Sequence, residues 1–177
     1  NINYAILRNY ESIPFKPKDS DYFDLDIIVS SKDLNKFNRI LKKVVLAKRT
    51  VLFKVFKRSY CHHYRIIKSY HKKFTNVQID VHTKGQGFWG FFYLLEDEIL
   101  DHKRRYKEFF VVSNFHHHLF NWLDKLLWGE LKPKYSKPIK KSMIKEIPQL
   151  DSFLKKINLN KKTIIAIKSL FLNKKKK

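Results

Sequence analysis

Two aspartates one residue apart, Asp24 and Asp26, lie in Tyr22-Phe23-Asp24-Leu25-Asp26-Ile27-Ile28-Val29-Ser30. Leu25, Ile27 and Val29 alternate with Asp24, Asp26 and Ile28, and β-branched residues dominate the second half, so the stretch reads as a β-strand. Residues two apart on a strand share a face. The two carboxylates therefore point the same way, close enough to repel unless something positive sits between them. A hard divalent cation that prefers oxygen ligands, Mg²⁺ or Mn²⁺, is one solution. A solvated strand edge is the other.

A third carboxylate, Asp80, falls inside Val77-Gln78-Ile79-Asp80-Val81-His82, with Val77, Ile79 and Val81 on the opposite face. An unpaired carboxylate among β-branched residues is costly. Either three strand carboxylates converge on metal ions, or Asp80 bridges to one of the many Lys or Arg side chains. On the metal reading, replacing Asp26 by Asn relieves repulsion and leaves the metal-free fold intact or slightly more stable.

The elements that must position these groups follow from periodicity. Ile2–Leu7 suits a strand or a helix end, and Ser12–Tyr22 is turn-rich, with Pro14 and Pro17. Ser30-Ser31-Lys32-Asp33 supplies a helix start, and Leu34, Phe37, Ile40, Leu41 and Val44 fall at helical spacing to about Val45. Thr50–Phe56, Tyr64–Tyr70, Val77–His82 and Phe109–Val112 read as strands, with a helix around Leu94–Leu100. Three of the four glycines, Gly85, Gly87 and Gly90, mark a loop after Asp80. Ser113-Asn114 is a plausible N-cap for a helix from Phe115 to Leu131, which Pro133 and Pro138 end. Helical pieces follow at Ile139–Ile147, Asp151–Ile157 and Lys161–Leu172. The order implies an α/β (α+β) class: an αβ core over residues 1–113 and a helical C-terminal part over 114–177.

The chain has 177 residues, 44% of them hydrophobic and 15% aromatic, which excludes a disordered chain. No apolar run approaches the ~18–20 residues needed to span a bilayer, and no signal peptide opens the sequence. It begins at Asn1, which leaves room for residues upstream. The single cysteine, Cys61, excludes an internal disulfide framework and fits a reducing cytoplasm. A net charge of +22 favours anionic partners such as nucleic acid, nucleotides or an anionic membrane surface. An A+T-rich coding bias yields the same Lys, Asn, Ile, Phe and Tyr excess, so the charge is weak support.

Tyr4-Ala5-Ile6-Leu7-Arg8-Asn9-Tyr10-Glu11, then Asp24-Leu25-Asp26-Ile27-Ile28-Val29, then Gln78-Ile79-Asp80-Val81-His82 resemble uncharacterised nucleotidyltransferases associated with bacterial surface-polysaccharide genes, within the polymerase-β-type superfamily. Phe109–Val112, Leu126-Leu127-Trp128-Gly129-Glu130 and Lys134-Tyr135 follow the same pattern, so the resemblance spans roughly residues 4–135. It implies a small mixed sheet flanked by helices, with Asp24 and Asp26 binding Mg²⁺ and Asp80 completing the site. The implied reaction moves a nucleoside monophosphate from an NTP to a hydroxyl of a small-molecule, sugar or carrier acceptor. The superfamily's usual Gly-Ser pair is replaced by Leu7-Arg8-Asn9. Arg8, with Asn9, is then expected to grip a phosphate as a bidentate donor, or Arg8 serves as counter-charge to Asp24 or Glu11.

The histidines are weaker signals. His116-His117-His118 cannot all face one way on a helix, and His62-His63 is a similar doublet, so neither makes a convincing zinc site. Arg58 and His63 have the Arg-x4-His spacing of helical toxin ribonucleases but lie between strands. Lys174–Lys177 reads as a solvated end or an aid to docking on an anionic surface, and no amphipathic membrane helix stands out. The alternative to the enzyme is a non-catalytic basic module that binds nucleic acid or nucleotides.

Overall fold

The computed structural model describes residues 1–13, 22–48, 50–57, 61–70, 73–88, 91–127, 147–156, 161–162, 165 and 169. The expected features at Arg58, Trp89, Gly90, 128–146 and 174–177, and most of 161–172, lie outside them. The chain is mixed α+β and divides into two compact units, Asn1–Ser113 and Asn114–Lys177.

The first unit contains a seven-stranded mixed sheet of order β3-β4-β5-β2-β1-β9-β8. Its strands are β1 (Tyr4–Ile6), β2 (Tyr22–Val29), β3 (Val51–Lys57), β4 (Cys61–Tyr70), β5 (Lys73–His82), β8 (Arg104–Tyr106) and β9 (Phe109–Val111). A separate two-stranded hairpin joins β6 (Gly85–Phe88) to β7 (Phe91–Leu95). The glycine-marked loop expected after Asp80 is therefore largely strand. The helix expected from Leu94 starts later, as α2 (Glu96–Asp101), because Leu94 and Leu95 are paired to Gln86 and Gly85.

β2 and β5 run parallel, with Asp24 opposite Gln78 and Asp26 opposite Asp80. The strands between them in sequence return through α1 (Leu34–Ala47), β3 and the β4–β5 hairpin. On one face of the sheet, Ile27, Val29, Tyr64, Ile79 and Val81 form a buried cluster against which Leu34, Phe37 and Leu41 of α1 pack. The Tyr64 hydroxyl donates to Asn38 Oδ1 (2.6 Å), so the helix is fastened by a polar contact as well as by apolar burial. Period-2 alternation then sends Asp24, Asp26, Gln78, Asp80 and His82 to the other face.

One carboxylate locks the ends of β2 and β5. Glu96 Oε1 accepts from Ser31 N (2.9 Å) and Ser30 Oγ (3.1 Å), and Oε2 accepts from Ser31 Oγ (2.6 Å) and Lys84 N (2.9 Å). Ser30-Ser31 thus serve Glu96 rather than the helix. Asp33, the N-cap of α1, makes no side-chain cap bond and instead accepts from Asn3 N (2.8 Å).

In the second unit, α3 (Asn114–Leu127) and α4 (Ile147–Lys156) bury Leu119, Phe120, Leu150, Phe153 and Leu154. Phe115 meets Phe153 edge-on at 6.0 Å. α4 begins a turn earlier than the Asp151 start expected from sequence. Pro148, in its first turn, is tolerated because the nitrogen there has no helical acceptor.

Burial opposes ionisation of Glu96, but the Ser31, Lys84 and Ser30 donors outweigh it and hold the carboxyl below its ordinary 4.5. A depressed folded-state pKa adds stability that is present above the unfolded value and is lost as pH falls through the folded one. Glu96→Gln is expected to cost about 1–2 kcal/mol at neutral pH. In thermal melts, the gap to the parent chain should close below about pH 4.5.

Candidate functional site

Asp26 is the buried centre of the polar face, at 2% exposure. β1 pairs antiparallel with β2, and Leu7 N donates to Asp26 O (2.8 Å), which sets the next residue, Arg8, beside that carboxylate. Arg8 Nε donates to Asp26 Oδ2, and a second guanidinium nitrogen donates to Oδ1 (3.2 Å). His82 Nε2 lies 3.4 Å from Oδ1. Arg8 is therefore a counter-charge, hydrogen-bonded to Asp26 and acting on Asp24 through its charge.

Asn9 sits in the left-handed region (φ 64°), which a short amide side chain tolerates. Its Nδ2 donates to the Asp24 carbonyl (3.0 Å), pinning the Arg8 loop to β2.

Asp80 has its own partners. His63 faces it across the antiparallel β4–β5 pair, with Nδ1 2.7 Å from Oδ1. Since a carboxylate only accepts, that nitrogen carries the hydrogen. Gln78 Nε2 donates to both oxygens (3.1 and 3.3 Å).

Asp24 is different. Its Oδ1 is buried with no hydrogen-bond partner, as is His82 Nδ1. Burial pushes the Asp24 carboxyl from 3.8 up to about 6; Asp26 and Asp80 push the same way, and Arg8 and His63 only partly oppose them. For Asp26, burial also opposes ionisation, but the His82 hydrogen bond and the Arg8 charge and hydrogen bond prevail and hold it below its ordinary value.

The donor set suits a hard divalent cation: three carboxylates on one face of two paired strands, one oxygen of which is buried and unsatisfied. Among the described residues, one oxygen from each does not come within 4.8 Å of the other two, so a single three-carboxylate cage is not preformed.

Alternation along Gln78-Ile79-Asp80-Val81-His82 already puts Gln78 and His82 beside Asp80, and that signal identifies them as site partners. His63 was visible only as half of a doublet, because its register opposite Asp80 is a property of the sheet. It lies in a strand, as the ribonuclease motif does not allow. His62 is buried on the α1 side and stacks on Tyr64. In α3, the His117 ring accepts from Asn121 Nδ2 (3.1 Å).

The pairing reverses the expectation for Asp26→Asn. Breaking a buried ion pair leaves Arg8 without its carboxylate, so this variant is expected to lose about 3 kcal/mol. Asp24→Asn is expected to stabilise the metal-free protein instead. A folded-state value raised to about 6 means that ionised Asp24 opposes folding fully above that pH, and that the penalty fades toward 3.8. After solvent screening, the gain is about 1–2 kcal/mol above pH 6, vanishing on acidification. Denaturant melts of both variants across pH check the two signs.

Compared with protein-family models, with curated proteins and with solved structures, the chain matched none.

Proposed function

We propose that the chain is a metal-dependent nucleotidyltransferase that moves a nucleoside monophosphate from an NTP to a hydroxyl of a small-molecule, sugar or carrier acceptor. The reading fits cytoplasmic work in surface-polysaccharide synthesis. The observation that supports it is the register of β2 and β5, which sets Asp24, Asp26 and Asp80 on one face beside an arginine. Asp24 and Asp26, with Asp80 next to them, would hold Mg²⁺ or Mn²⁺. A bound ion would supply charge neutralisation at the transferring phosphoryl group.

The chain's own residues have definable tasks. Arg8, with His82, holds Asp26 ionised in the metal-free protein and keeps a guanidinium, the group type that pairs with phosphate oxygens, beside the carboxylates. Asn9 fixes the loop that carries it.

The test is a thermal-shift screen of the four nucleoside triphosphates with Mg²⁺ or Mn²⁺. At least one pair should raise Tm by several degrees, since ligand at a hundredfold excess over Kd contributes about 2.7 kcal/mol. Asp24→Asn should abolish that shift while keeping its higher metal-free Tm. No shift with any nucleotide, or a full shift in Asp24→Asn, rules the reading out.

A further inference from the structure

α1 has a second face. Its inner residues Leu34, Phe37 and Leu41 pack on the sheet, yet Ile40 is 43%, Val44 52% and Leu46 75% exposed. Val51, at the start of the contacting strand β3, is 53% exposed. These are four of the seven large hydrophobic side chains exposed among the described residues, and they fall within twelve positions of sequence. Ile40, Val44 and Ala47 lie at i, i+4 and i+7 and so form one stripe.

From Leu34 to Ile79 the charged residues have a single sign. Lys32, Arg39, Lys42, Lys43 and Lys48 are exposed around the stripe. Between Asp33 and Asp80 the sequence holds thirteen Lys and Arg and none of the chain's sixteen acidic residues. An apolar stripe bordered by cations and lacking acids is the pattern of a surface that meets an anionic interface. A second copy of a chain with net charge +22 would be repelled from it. A polynucleotide would gain from the cations but has no use for aliphatic side chains, which neither stack on bases nor hydrogen-bond to them.

We propose that the outer face of α1, with Val51, docks on an anionic lipid bilayer. Lys32, Arg39, Lys42, Lys43 and Lys48 meet headgroup phosphates, and Ile40 and Val44 enter the headgroup–acyl boundary. The helix lies in the plane of the surface. No helix among the described residues is long and apolar enough to cross a membrane, so this is peripheral attachment. The proposal does not depend on the nucleotidyltransferase reading, because α1 lies against the opposite face of the sheet from Asp24, Asp26 and Asp80.

The experiment is co-sedimentation of the full chain with phosphatidylcholine vesicles, with and without phosphatidylglycerol. Binding is expected only with phosphatidylglycerol and should weaken as salt shortens the Debye length to about 8–10 Å and below. Lys42→Gln and Lys43→Gln should each cost about fivefold. The double variant Ile40→Asn, Val44→Asn keeps every charge and should lose more than about tenfold.

A fluorophore on Val44→Cys keeps the proposal testable if the double variant fails to fold, and its emission should shift to the blue on vesicle addition. Absence of vesicle binding overturns the proposal. So does full binding by a folded double variant, an unshifted Val44 label in the presence of bound vesicles, or capture by a single-stranded oligonucleotide that the double variant retains while vesicles are ignored.

Discussion

Asp26 and Asp80 face each other across two parallel strands, and that juxtaposition sets the terms for the surrounding structure. In-register pairing of β2 with β5 forces like charges onto one face of a sheet whose other face must be apolar to hold α1. The sheet cannot slip by one residue to relieve the repulsion, because every side chain would change face and the Ile27, Val29, Ile79 and Val81 core would be lost. The repulsion is instead balanced from neighbouring strands: Arg8 from the end of β1, His82 from β5 itself and His63 from β4. Asp24 is left with an unsatisfied oxygen, and it is the position where the protein accepts an electrostatic penalty for no visible structural return. Such penalties gather at functional sites, where a ligand's charge offsets them.

The same sheet therefore has two separate tasks. Its apolar side anchors a helix whose outward surface is cationic and aliphatic, while its polar side gathers carboxylates, imidazoles and a guanidinium. Glu96 ties the strand ends from which both are built, through four hydrogen bonds to Ser30, Ser31 and Lys84.

Much of this was legible in the residues. Alternation through Leu25, Ile27 and Val29 marks β2, helical spacing through Leu34, Phe37 and Leu41 marks α1, and Asp80 stands out because its strand is otherwise β-branched. The partnership of β2 with β5 was not legible, since parallel pairing leaves no local signature in either strand. The Arg8–Asp26 pair depends on the register of the antiparallel β1–β2 pair, which the residues of either strand alone do not show. β6 was hidden by Gly85 and Gly87, whose turn signal outweighed any strand signal. The apolar residues of α1 all suggested core, and only the packed structure separates Phe37 and Leu41 from Ile40 and Val44.

The register of β2 and β5 also governs how the chain folds. Each contact of that pairing spans 54 residues (Asp80 minus Asp26, Asn76 minus Tyr22), whereas the β4–β5 hairpin closes over a few. Long-range pairing bears its loop entropy before any contact rewards it and is slow. The order that follows is hairpin first, helix next, and β2 against β5 late. The carboxylates meet only at that late step, so their mutual repulsion raises the barrier at the moment of closure unless Arg8 is already seated. β1 sits next to β2 in sequence, which allows a local β1–β2 pair to deliver the guanidinium before β5 arrives. A chain that presents the complete carboxylate face has thereby closed the β2–β5 pairing.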